Sequence, residues 1–119
     1  PVLFNKKATV CKYLVPKGYG TNPIKEGEIN IDDVPKTNDN LRIYYAAVNK
    51  AQNGLRLTGS RALAFVGIGK NLSEAERISE DAISKIKGPV FHRKDIGTPA
   101  LIQKRIHHMR QLLGEKIAA

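Results

Sequence analysis

The hydrophobic pattern of this chain changes period at Ser73, and that change limits its folds more than any other feature. Before Ser73 the apolar residues alternate or run on in short stretches. In "KATVCKYLV" (residues 7–15), Thr9, Cys11, Tyr13 and Val15 share one face of an expected strand, and Ala8, Val10, Lys12 and Leu14 share the other. "LRIYYAAV" (41–48) reads as a second strand, and "RALAFVGIG" (61–69) is apolar enough for a strand covered on both faces. A short strand over Glu28–Ile31 precedes an exposed loop, "DDVPKTNDN". Asn53 and Gly54 are suited to a tight hairpin turn, with a strand returning through Leu55–Thr58.

After Ser73 the apolar residues recur every three to four positions. Ala75, Ile78, Ala82 and Ile86 form one stripe of an expected helix. Ser73 and Glu76 supply a capping box at its start, and Gly88-Pro89 ends it. "VFHR" (90–93) is extended, and Thr98-Pro99 is an N-cap followed by proline at the first helical position. The second helix carries the stripe Ile102, Ile106, Met109 and Leu113. Strands followed by helices predict an α+β fold, mainly antiparallel and small-barrel-like, with two helices towards the C-terminus. A length of 119 residues fits one domain over 1–119.

The net charge of +9 favours anionic partners, and much of it is local. From Lys85 onward eight basic residues face two acidic ones. No apolar run reaches the roughly 18 to 20 residues of a membrane span, so no membrane association is expected. The single cysteine, Cys11, excludes an internal disulfide, suits a reducing, cytoplasmic setting, and reads as an inert buried thiol rather than a nucleophile.

Most chemical motifs fail on detail. "GIGKNLSEAE" (67–76) has Leu72 where the third glycine of a dinucleotide loop belongs, and no Gly-Lys-Ser/Thr follows. His107 and His108 are adjacent and point about 100° apart on a helix, and His92 has no partner at a ligand spacing, so no metal site is expected. Carboxylates for acid-base catalysis do not assemble, and no catalytic residue is expected. A small basic nucleic-acid-binding module is the competing class. However, Lys104, Arg105 and Arg110 alternate with apolar positions as on any surface helix, and there is no basic-aromatic interleaving. "HRKDIGTP" (92–99) is the exception, since Arg93 and Lys94 stand just before free N-H groups at a helix start. An anion site and a solvated, structurally capped loop both fit these residues.

"RKDIG" (93–97), preceded by Phe91, resembles a motif near the C-terminus of the phosphoribosylamine-glycine ligase (glycinamide ribonucleotide synthetase) family, archaeal type. "KGYG…EGEI" (17–29), "TGSRAL" (58–63) and "GKNLSEA" (69–75) are similar to further blocks of that family in the same order. Gly20 replaces its usual proline, Ser60 its second glycine, and "YAAV" (45–48) its common His-Ala-Gly-Thr. The resemblance implies the C-terminal domain of a longer ATP-grasp ligase, packed on preceding domains that hold ATP and magnesium or manganese. In such enzymes glycine is activated as an acyl phosphate and attacked by the amine of 5-phosphoribosylamine. The local positive charge motivates the expectation that Arg61, Arg93 and Lys94 line or support the site for the phosphoribosyl group, with Asp95 positioning one of these cations. This domain alone is expected to be inactive and to bind no cofactor.

Overall fold

The computed structural model describes residues 7–23, 27–52 and 54–118. In chain order they form β1 (Ala8–Pro16), β2 (Glu28–Ile29), β3 (Leu41–Tyr45), β4 (Val48–Ala51), β5 (Gly54–Leu57), β6 (Leu63–Gly69), α1 (Leu72–Ile83), β7 (Val90–Phe91) and α2 (Pro99–Ala118). The expected α+β class is the one observed. The strands make two sheets, ordered β3-β6-β1-β7 and β2-β5-β4, with antiparallel pairing throughout. They do not close into a barrel. Two sheets arise because the expected strand 41–48 breaks. Ala46 and Ala47 still donate to Ala62 and Arg61 at 2.8 and 3.0 Å, and the chain then crosses at Val48 into the second sheet. The hairpin forms with Gly54 opposite Ala51, while Asn53 lies outside the described residues.

β6 is one of the two inner strands of the larger sheet and is mostly buried, as its unbroken apolar run requires. β1 pairs beside it from Ala8↔Gly69 to Leu14↔Leu63 and alternates strictly, with Val10, Lys12, Leu14 and Pro16 inward and Thr9, Cys11 and Tyr13 outward. Cys11 is therefore exposed, contrary to expectation. Helix α1 covers the other face of the strand, the one that includes Lys12.

α1 crosses β6 and β1 and buries Ala75, Ser79, Ala82 and Ile83. The close approach depends on Gly67, where a Cβ would collide with the Ala75 carbonyl oxygen. The glycines of "GIG" thus serve helix-sheet packing rather than a phosphate. The cap differs from expectation, because Asn71 is the N-cap and accepts from the Glu74 N-H at 2.9 Å, while Glu74 turns back towards the Lys70 N-H. The expected partner, Glu76, is drawn inward to Lys12. α1 also ends early, at Ile83, with turns through Lys85 and Ile86 completing the path to Gly88.

The core joins α1 to both sheets through Leu14, Ile29, Leu41, Leu57, Phe65 and Ile83. α2 lies outside it. Beyond Ile102, every α2 residue through Gly114 is exposed, including Ile106, Met109, Leu112 and Leu113. The expected stripe exists but has no partner among the described residues. The projecting helix lengthens the molecule, giving a radius of gyration of 17.3 Å against about 13.5 Å for a compact chain of this size.

Candidate functional site

The segment from β7 to α2 leaves the strand at Phe91 and turns through residues 94–97, with Arg93, Lys94 and Asp95 exposed and His92 half-buried. Arg93 and Asp95 point outward and meet in a two-pronged ion pair, Nε to Oδ1 at 3.1 Å and Nη2 to Oδ2 at 2.9 Å, each side chain half exposed. His92 points inward, and its Nε2 lies 2.9 Å from Glu80 Oε2 and 3.2 Å from Oε1. Facing a carboxylate, that nitrogen must carry the proton. The segment then turns at Gly97, with φ of +78°, where a Cβ would press on Val10. Thr98 caps α2 as its sequence indicates, accepting from the Leu101 N-H at 3.4 Å and donating to the Asp95 carbonyl at 2.6 Å.

Beneath the turn is a group that the sequence reading did not single out. The Lys12 ammonium is fully buried and donates to Glu76 Oε1 at 3.1 Å, Glu80 Oε1 at 2.8 Å and the Lys94 carbonyl oxygen at 2.9 Å. An ammonium has three donors, and here all three are used. Glu80 also accepts from Ser84 Oγ at 2.6 Å. Burial pushes the Glu80 carboxyl up, but hydrogen bonds from Lys12, Ser84 and His92, with the charge of His92, outweigh it and hold the group at about 2. At the surface, Arg93 lowers the pKa of Asp95, and Asp95 raises that of Arg93. The signal in the sequence was a lone cation between Val10 and Leu14 on an inward face, together with two glutamates four residues apart on α1.

Of the four residues expected to bind substrate, the structure gathers three on one face. Arg93 borders an open groove of about 450 Å³ walled by Tyr13, Tyr19, Phe91 and Ile96. The Arg61 guanidinium sits 4.9 Å from the centroid of the Tyr13 ring, a cation-π contact that links it to the same groove. Arg93 and Asp95 also border a second groove, of about 410 Å³, with Lys104, Arg105 and His108 of α2 on its other side. Lys94 is placed differently. Its side chain lines a separate cavity of about 620 Å³ with Ser84, Val90 and His92, and its backbone carbonyl serves Lys12. Cys11 lies on the first groove, and burial raises its thiol pKa, which disfavours the reactive thiolate. Among the described residues, no three His, Cys, Asp or Glu side chains converge on a metal position.

The architecture defines a class, a small α+β domain that presents a braced, cation-bearing turn between two grooves. Residues 9–99 match the family "Phosphoribosylglycinamide synthetase, C domain", and the chain belongs to that family. It is 48% identical over 114 residues to a phosphoribosylamine-glycine ligase of Methanosarcina barkeri, covering 96% of this chain and 25% of that protein. The enzyme of the same name from Methanocaldococcus jannaschii is 49% identical over 111 residues, covering 93% and 25%. The crystal structure of phosphoribosylamine-glycine ligase from Thermotoga maritima superposes with a TM-score of 0.58 at 28% identity, covering 71% of this chain and 20% of that one. The chain thus spans about a quarter of the length of the curated relatives it matches. The nucleic-acid reading draws no support from these matches.

Proposed function

We propose that this chain is the C-terminal domain of an ATP-dependent ligase that joins glycine to 5-phosphoribosylamine, and that it helps wall the substrate cleft of a longer cytoplasmic enzyme. ATP and magnesium or manganese belong to the rest of that enzyme. The side chains described here do not fit a metal, and no step of the reaction is assigned to one at this site. The role of this domain is recognition. Arg93, held in a fixed fork by Asp95, offers its remaining N-H donors to the phosphate of the phosphoribosyl group, and Arg61 adds positive charge from across Tyr13. Lys94 contributes charge at longer range.

The observation that carries this reading is the half-exposed Arg93-Asp95 pair between two open grooves, inside the span that matches the family. A guanidinium spent only on structure would not need two open approaches. In the full-length enzyme, Arg93→Ala should raise the KM for phosphoribosylamine by about tenfold or more and leave that for ATP nearly unchanged, because only one substrate loses a charge-assisted contact. Equal kinetics with both substrates would assign Arg93 to structure alone.

A further inference from the structure

We infer that Lys12 is a positioning residue for the 92–97 turn, holding Arg93 and Asp95 at the angle from which they meet the substrate. The inference rests on the reading of Arg93 given above. The turn is fastened to the β1-α1 layer at three successive points. His92 is held by Glu80 of α1, the Lys94 carbonyl by Lys12 of β1, and Gly97 lies against Val10 of β1. Arg93 lies between the first two points, so a swing of its backbone strains the bonds at both.

A lysine is costly in this place, since a buried ammonium without acceptors would be strongly destabilising, and an apolar side chain would fill the strand face between Val10 and Leu14. What an apolar residue could not do is bind a backbone carbonyl 82 residues away while tying down two helix carboxylates. That carbonyl belongs to Lys94, the residue between the two members of the surface pair. Lys12 therefore touches no ligand itself and acts on the ligand-facing side chains through one peptide unit. The arrangement also explains why Glu76 is absent from the α1 cap and why Glu80 accepts from three side chains.

The test uses the full-length enzyme carrying Lys12→Met with Glu76→Gln, which removes the ammonium and one of its carboxylates together so that no net charge is added to the interior. Hydrogen exchange at the Thr98 amide, bonded to the Asp95 carbonyl at 3.0 Å, reports on the turn, and exchange in β6 reports on the fold. We expect faster exchange at Thr98 with β6 unchanged, a rise of about tenfold in the KM for phosphoribosylamine, and an unchanged KM for ATP, since a displaced turn misplaces only one substrate. If the double variant does not fold, Lys12→Met/Glu76→Met, which fills the vacated space with apolar side chains and keeps the His92–Glu80 bond, takes its place under the same readouts. An unchanged KM for phosphoribosylamine in a variant whose turn exchanges faster, alongside a raised KM in Arg93→Ala, would overturn the role of Lys12 and leave that of Arg93 standing. No change in either variant would overturn both.

Discussion

The two helices have similar apolar stripes in sequence and opposite fates in the structure. On α1 the inward residues Ala75, Ser79, Ala82 and Ile83 are covered by β6 and β1, and Gly67 and Gly69 leave out Cβ atoms that would hold the helix away. On α2 the stripe Ile102, Ile106, Met109 and Leu113 is as regular, yet Met109 is 55% and Leu113 is 53% exposed. A stripe states that a helix has a face to bury and not what will bury it. The surface that covers α1 was prepared elsewhere in the chain, by a glycine-bearing strand. No such surface faces α2 among the described residues. The family match ends at residue 99, where α2 begins, whereas an alignment of 114 residues to the Methanosarcina barkeri ligase takes in most of this helix.

Truncating one stripe and then the other breaks the comparison most sharply. Ile83→Ala empties a site that is 1% exposed and should cost about 2 to 5 kcal/mol by urea denaturation, through lost transfer energy and a residual cavity. Met109→Ala removes a side chain that touches little, and should change the same midpoint by less than about 0.5 kcal/mol. Equal losses from the two variants would mean that α2 is packed in solution.

The same contrast separates what could be read in the sequence from what could not. β1 and β6 were legible because alternation and an unbroken apolar run are local properties of a strand. The covered face of β1 was not. The outward residues Cys11 and Tyr13 look more apolar than an inward face containing Lys12, and composition does not record where α1 will lie. In "NLSEAE" two capping patterns overlap, Asn71 with Glu74 and Ser73 with Glu76, and the local rule fits both. The choice is tertiary, since Glu76 cannot serve the helix start and Lys12 together. Arg93 and Asp95 could be picked out through a short motif and family resemblance. Their brace could not, because the acceptors of Lys12 lie 64, 68 and 82 residues further along the chain.

Acid tests the well-braced region directly. The Glu80 carboxyl, held at about 2 in the folded chain against an ordinary value of 4.5, is charged in both states at neutral pH and favours the folded one. Its contribution is complete above about pH 4.5 and disappears as the pH falls towards 2, because the unfolded chain takes up the proton first. One such group accounts for roughly 2 kcal/mol once partial solvent access is allowed for. Asp95 shifts in the same direction, but its exposed pair with Arg93 adds little. Unfolding free energy measured from about pH 6 down to about pH 2.5 should fall by this amount, and in Glu80→Gln the slope should flatten. The helicity of α2, which does not touch this network, should be indifferent to it.

The smallest effects come from the two caps, where one kind of bond serves helices in different circumstances. Asn71 accepts from Glu74 at 2.9 Å at the start of α1, and Thr98 from Leu101 at 3.4 Å at the start of α2. Replacing either with alanine leaves a backbone N-H without its acceptor, at about 1 kcal/mol. In Asn71→Ala that loss should appear in full in the global unfolding midpoint, because α1 melts only when the core does. In Thr98→Ala it should appear as fraying of α2, seen as reduced helical ellipticity at low temperature, with the midpoint of the sheets in place. The longer bond at Thr98 predicts the smaller loss of the two, but Thr98 also donates to the Asp95 carbonyl, so its removal loosens the far end of the turn that carries Arg93. A global midpoint that drops equally in both variants would require α2 and the core to unfold as one cooperative unit, and the exposed stripe of α2 would then need a partner surface in solution.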